Sequence, residues 1–343
     1  MIILTNALSA RDDEGSLKVA RKLIGAIKEK MPNSYLITYE NHSPMSDRHL
    51  KINKLMLSGK LAATLWKRKE DVLFAPLYVR MHALAAKVCV LSLLARRRLT
   101  VLVYMQPRMK KWACRLMKIS GARFVFLSQQ ACENMSAYVP STWIRAGVDT
   151  RRFLPAKPEE KAALRRKYQL PLDKKIVLHV GHMKYGRNVD KLLQVGEEHH
   201  VVLVTSQTTK PHEDQTLASM LKEKKNVTVI DWYMPEIQEI YQLADVYFFP
   251  VMQDRNCIDA PLSVLEAASC NIPVVCTPYG VLKELMGSDG FFFMEEASPE
   301  SFLPLLRQAF ETKKGPRESV LAYDWQFATE SLMKNFCEWE VRA

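Results

Sequence analysis

One pattern governs what this chain can fold into: a short apolar run, a stretch of helical periodicity, then another apolar run, repeated from end to end. Ile2–Thr5 reads as a strand, and Ser16–Lys30 as a helix with Leu17, Ala20, Ile24 and Ile27 on one stripe. Strands at Ser34–Tyr39 and Val72–Ala75 follow, then a helix over 84–95, a strand over 100–104, a helix over 109–119 and a strand over 123–127. After the charged, Pro-punctuated stretch RRFLPAKPEEKAALRRKYQLPLDKK the rhythm restarts. Strands are predicted at Ile176–Val180, Val201–Thr205, Val227–Ile230, Val246–Phe249 and Pro273–Cys276, with helices including Glu236–Leu243, Pro261–Ser269 and Pro299–Glu311. Such alternation predicts parallel, doubly wound sheets. The expected fold class is α/β, with two Rossmann-like halves joined near residues 150–172. Ligands of open α/β sheets sit beyond the carboxyl ends of the strands, so two facing halves would enclose a central cleft. The closing segment AYDWQFATESLMKNFCEWEV reads as one amphipathic helix anchored by Trp325, Phe327, Leu332, Phe336 and Trp339. It is expected to cross back to the first half, giving domains 1–150, 151–320 and 321–343.

A length of 343 residues favours two domains, each able to bury its own core. With 48% apolar and 25% charged residues, the chain is globular rather than disordered. Seven cysteines carry no CxxC pairs or zinc spacing, as expected of reduced thiols in a cytoplasmic protein. MIILTNAL has no basic n-region and reads as a first strand, not a signal peptide. In HALAAKVCVLSLLARRRLTVLVYM, Lys87 and the Arg96–Arg98 triplet cut the apolar run into pieces too short to span a membrane.

The net charge of +12 is unevenly placed. Residues 1–150 hold 25 Lys/Arg against 10 Asp/Glu, a net of +15, and the remainder holds 24 against 27, a net of −3. The excess concentrates over residues 96–123, in Arg96, Arg97, Arg98, Arg108, Lys110, Lys111, Arg115, Lys118 and Arg123, interleaved with Met109, Trp112 and Met117. Such a patch suits an anionic membrane surface or a phosphorylated acceptor. Nucleic acid is not expected, because no zinc-finger spacing or RNP-type motif accompanies the charge.

Three stretches can carry chemistry. In CIDAPLSVLEAASC, Asp259 can cap a helix whose first turn holds Pro261. The amides of Leu262 and Ser263 then face outward at the positive end of the helix dipole, an anion site. Glu266 lies one turn further in, within reach of a polyol held beside that anion. In LHVGHMKYGRNVDKLL a strand ends at Gly181 and a helix is expected from about Asn188. His182, Lys184 and Arg187 in the loop between can neutralise a pyrophosphate leaving group. In NALSARDDEGSLKVARKL, Gly15 before the first helix permits close approach of backbone to a ligand. The full GxGxxG fingerprint is lacking, so a dinucleotide-dependent oxidoreductase is poorly supported. GxxxxGK[ST], HExxH and GxSxG are absent as well. With no Asp-x-Asp after a strand, no metal and no other cofactor are expected.

AGVDTRRFLP, HVGHMKYGRNVDKLL, NVTVIDWYMPEIQEIYQLADVYFFP and APLSVLEAASCNIPVVCTPYG resemble, in order and spacing, the retaining GT-B glycosyltransferases of the "glycosyl transferases group one" family. The likeness covers residues 140–340; the first half matches only in rhythm, with GARFVFLSQQACENM resembling a typical strand end. The resemblance implies a nucleotide-sugar donor held mainly by the second domain. The family's basic pair on the pyrophosphate maps onto His182 and Arg187. The second glutamate of its E-x7-E motif, which holds the donor ribose, maps onto Glu266. The first glutamate, which contacts the transferred sugar, falls on Ile258, with Asp259 one residue away. Trp232 and Tyr233 sit where the family presents backbone to the nucleobase, and Gly15 stands in place of its glycine pair facing the donor phosphate. The family's frequent active-site histidine is not found; Met105 and Gln106 stand there, and Tyr104 and Gln106 are acceptor-side candidates.

The expected activity is therefore metal-independent, retaining transfer of a sugar from a nucleotide-sugar to a glycan or lipid-linked acceptor. It is expected in the cytoplasm, with the basic first domain at the inner face of a membrane. Two alternatives stay open at this point: a GT-B-fold nucleotide-sugar epimerase, and a non-catalytic nucleotide-sugar-binding scaffold.

Overall fold

The computed structural model describes residues 1–6, 8, 14–40, 43–53, 55–77, 81–105, 111–206, 214–253 and 256–340. They divide into two compact units, Met1–Ala146 with Gln326–Ala343, and Gly147–Trp325.

The first unit runs β1 (Ile2–Thr5), α1 (Gly15–Lys30), β2 (Tyr35–Thr38), β3 (Arg48–His49), α2 (Gly59–Arg68), β4 (Val72–Ala75), α3 (Met81–Leu94), β5 (Leu99–Val103), α4 (Lys111–Ser120), β6 (Arg123–Phe126), α5 (Gln129–Ser136) and β7 (Ser141–Trp143). Its described strands form one parallel sheet in the order β3-β2-β1-β4-β5-β6-β7. β1, β4 and β5 are buried along their length. Helices cover both faces of such a sheet, so its strands read as continuous apolar runs rather than alternating ones. α1 buries the expected stripe of Leu17, Ala20, Ile24 and Ile27, together with Val19 and Leu23. Its start is fixed by Glu14, whose carboxylate accepts from the Leu17 amide at 2.9 Å.

The second unit runs α6 (Pro158–Lys167), β8 (Lys175–Val180), β9 (His199–Val204), α7 (Gln215–Glu223), β10 (Val227–Ile230), α8 (Ile237–Leu243), β11 (Val246–Phe249), α9 (Leu262–Ser269), β12 (Val274–Cys276), β13 (Phe291–Phe293), α10 (Pro299–Glu311) and α11 (Arg317–Val320). The strand order is β10-β9-β8-β11-β12-β13, all parallel. Its core is built on Val177, Val201, Leu203, Phe248 and Val275 against Leu217, Leu221, Phe302 and Leu306 of the flanking helices. The last helix, α12 (Trp325–Glu340), follows a 3-10 turn at Leu321–Tyr323, so the amphipathic pattern enters its helix later than the sequence suggests.

A second difference lies after β8. Where one helix was expected from Asn188, the chain forms two 3-10 turns, Tyr185–Arg187 and Val189–Gln194. Asn188 between them is left-handed at φ 57°, a conformation Asn tolerates better than most residues and one that interrupts an α-helix. Among the described residues, no helix is long and apolar enough to cross a membrane. No disulfide joins the described cysteines, and Cys114, Cys132, Cys270 and Cys276 are buried.

Candidate donor-binding crevice

In the second unit β8 lies between β9 and β11. From β8 the chain winds outward through β9 and β10, then returns to β11 on the other side. That reversal is a topological switch point, where the loops after the two central strands part and leave a crevice. The loop after β8 carries Gly181 to Arg187, and the loop after β11 leads to Asp259 and α9.

These two loops are fastened to each other. Arg187 is only 5% exposed, and its Nη1 donates to the Asn256 carbonyl at 2.7 Å. Asn256 Nδ2 donates back to the Gly186 carbonyl. Asn188 Nδ2 donates to the Pro250 carbonyl at 2.8 Å. A Cβ on residue 181 would lie 2.8 Å from Arg187 Nη2 and 3.1 Å from His179 Nε2. Only glycine leaves room for the guanidinium against the strand end. Arg187 Nε is buried without a hydrogen-bond partner.

The other wall is the start of α9. Its first helical bonds run from the Val264 and Leu265 amides to the Pro261 carbonyl at 3.1 and 3.3 Å. The amides of Leu262 and Ser263 precede them, at the positive end of the helix. The cap differs from expectation: Pro261 occupies the N-cap position and Asp259 stands two residues before it. Asp259 is 1% exposed; its carbonyl accepts from the Val281 amide at 2.9 Å, and its Oδ1 lies on the Gly280 side. Residue 280 has φ +52°, and a Cβ there would fall 1.9 Å from the Asp259 carbonyl oxygen, so this corner needs glycine. Ile258 is 6% exposed and packs as a core side chain.

Tyr247 ties the two walls together. Its hydroxyl donates to the Val180 carbonyl at 3.2 Å, accepts from the Val180 amide at 3.3 Å, and bonds the Ser263 side chain. Glu266 is not a solvated acid on an outward face. It is 5% exposed, and Tyr241 Oη donates to its Oε2 at 2.9 Å. Burial, then the Glu266 charge, push the Tyr241 phenol well above its usual range, so it stays a hydrogen-bond donor.

His182 is half-buried directly after Gly181, and Lys184 opens the first 3-10 turn. Trp232, 53% exposed, and half-buried Tyr233 follow β10, two strands from β8, a lateral distance of about 10 Å. In the first unit Gly15 opens α1. Tyr104 is buried at the end of β5, its hydroxyl without a partner; burial, then Tyr39 and Glu14, push its phenol well above its usual range. Gln106 lies outside the described residues.

Sequence reasoning missed His179, whose one signal was a polar ring inside the apolar run KIVLHV. It is fully buried and stacks on Tyr247; Nδ1 lies 2.8 Å from the Phe248 carbonyl, and Nε2 has no partner. A carbonyl neighbour requires the proton on Nδ1, leaving the Nε2 lone pair turned toward the Arg187 side. Burial, then the Arg187 charge, pull the imidazole down to about 3. Below the ordinary value near 6.5 the unfolded chain takes a proton that the folded chain refuses until about pH 3, so this group withdraws stability as pH falls. Between pH 7 and 5 the expected loss is about 2 kcal/mol. Urea midpoints against pH should show it, and His179→Phe should flatten the slope.

A buried guanidinium beside a strand-end glycine, facing a helix start, can hold a diphosphate. Together the two Rossmann-like units and this crevice define the fold as that of the GT-B glycosyltransferases. Solved structures agree: Anabaena Alr3699/HepE in complex with UDP superposes with TM-score 0.75 at 14% identity, covering 98% of this chain and 100% of that one. A glycosyltransferase from Rickettsia africae ESF-5 gives 0.74 at 14% identity, over 98% and 97%. Residues 160–320, just under half of the chain, match the model of the family Glycosyl transferases group 1. A curated relative, TuaC of Bacillus subtilis (strain 168), carries a name that assigns it to teichuronic acid biosynthesis as a glycosyltransferase. It is 22% identical over 173 residues, 50% of this chain and 42% of its own length, so the match spans less than half of that relative.

Proposed function

We propose that the protein is a glycosyltransferase that moves a sugar from a nucleoside-diphosphate sugar to a glycan or lipid-linked acceptor, with retention of configuration and without a metal ion. The observation that supports this most is the fastening of Arg187 between Gly181 and Asn256 at the switch point, opposite the start of α9. The donor diphosphate would lie between the guanidinium and the Leu262 and Ser263 amides, with Glu266 reaching the ribose hydroxyls. In the transfer step the acceptor oxygen bonds to the anomeric carbon as the bond to the diphosphate oxygen breaks. The electron pair leaves with the diphosphate, and the acceptor proton passes to a phosphate oxygen on the same face. Negative charge gathers on the leaving group, where a fixed guanidinium and helix amides stabilise it without reorganising.

Retention and metal independence follow the family resemblance, and His182 and Arg187 are assigned to the pyrophosphate in the same way. HepE has been solved with UDP and with UDP-glucose, which makes UDP-glucose the first donor to try. Proton NMR of UDP-glucose with a lipid-linked glycan acceptor and EDTA tests the reading. Continued turnover with the donor's anomeric configuration kept supports it. Loss of turnover on chelation that added Mg²⁺ or Mn²⁺ restores, or inversion, overturns the corresponding part, and donor conversion without acceptor indicates the epimerase.

A further inference from the structure

We propose that the outward face of α4, with the adjoining end of α3, seats on an anionic lipid bilayer, its apolar stripe entering the interface while the flanking cations meet lipid phosphates. Between Asp71 and Glu133 the sequence contains no acidic residue, yet that run holds eleven lysines and arginines. α4 buries Ala113, Cys114, Met117 and Ser120 against the first unit, so Met117 belongs to the core and not to the basic patch. The opposite side should then be polar, as on an ordinary surface helix. Instead Trp112, Leu116 and Ile119, at helical spacing i, i+4 and i+7, are 48%, 38% and 71% exposed. Arg115 and Lys118 are exposed between them.

The stripe extends onto α3. Cys89 Sγ lies 3.4 Å from the Leu116 carbonyl, and Ser92 Oγ donates to the Ser120 carbonyl, so the two helices are fastened side by side. Leu93, next to Ser92, is 75% exposed, and Arg96 and Arg97 follow it, also exposed. A protein-binding patch would be depleted of lysine at its centre. An indole and aliphatics flanked by Lys and Arg, in a run of sequence without acids, is the composition of a helix lying in a lipid interface. Bilayer seating is independent of the proposed sugar transfer, because Arg187, the start of α9 and Glu266 all lie on the other unit.

The test is co-sedimentation of the whole chain with vesicles of phosphatidylcholine alone and of phosphatidylcholine containing one third phosphatidylglycerol. The anionic vesicles should bind at least about tenfold more tightly, and the Arg115→Glu/Lys118→Glu variant should lose about tenfold or more. Leu116→Asp/Ile119→Asp should remove the part of the binding that survives high salt. Wild-type tryptophan emission should shift to the blue on anionic vesicles, and Trp112→Phe should lose most of that shift. All variants should keep the melting temperature and any nucleotide-induced rise in it, as these side chains are exposed; should one not fold, the wild-type emission shift still decides. No vesicle binding, equal binding to both vesicles, an acid-insensitive stripe, or capture of RNA or a protein in place of lipid would each overturn the proposal.

Discussion

Glu266→Gln lowers kcat/KM for the nucleotide-sugar roughly thirtyfold or more while leaving the melting temperature nearly unchanged; Glu266→Ala loses both. The difference comes from Tyr241. The amide of Gln keeps an oxygen for the buried Tyr241 hydroxyl, which now sits 2.9 Å from Glu266 Oε2. It removes only the charge, and charge-assisted hydrogen bonds of the kind a ribose hydroxyl makes to a carboxylate contribute about 2 kcal/mol. Alanine strands the hydroxyl in a buried site and opens a small cavity, costing about 3 kcal/mol of stability. Steady-state kinetics and urea unfolding on both variants check this. Equal kcat/KM for wild type and Glu266→Gln would leave the carboxylate a purely structural partner of Tyr241.

Arg187→Met is expected to lower kcat by about 10²–10³, the usual loss when a preorganised stabiliser of developing charge is removed. It also gives up the bond from Nη1 to the Asn256 carbonyl, so about 1 kcal/mol of stability goes with it. Arg187→Lys should recover only part of the rate. A lysine keeps the charge but cannot both hold Asn256 and present a planar face to a phosphate. A kcat within threefold of wild type in Arg187→Met would show that the leaving group is stabilised elsewhere.

The two sheets were legible because parallel strands buried on both faces leave unbroken apolar runs, as in Ile176–Leu178 and Val246–Phe249. The strand end at Gly181 and the helix behind Leu262 were legible for the same reason: glycine and proline punctuate where periodicity changes. The fastening of the loops was not. Asn256 acts through its carbonyl on Arg187 and through its side-chain amide on Gly186, contacts across sixty-nine and seventy residues that no local pattern announces. The environment of Glu266 was hidden likewise, because its partner Tyr241 sits on a different helix. His179 was read as part of a strand; its meaning depends on what faces it, Arg187, which a loop folds back onto the strand end, and Tyr247, which is distant in sequence. Asp259 was read as a helix cap because it precedes a proline, but the helix begins one residue after Pro261, and the aspartate turns to Gly280 instead.

The proposed sugar transfer requires a donor diphosphate bound between Arg187 and the start of α9. Thermal-shift titration of wild type and Arg187→Met with UDP-, GDP-, ADP- and TDP-sugars measures that claim most directly. At least one nucleotide-sugar should raise the wild-type melting temperature in a saturable way, and Arg187→Met should lose most of the rise. A shift that survives unchanged in Arg187→Met, or a wild-type protein indifferent to all four, would contradict it.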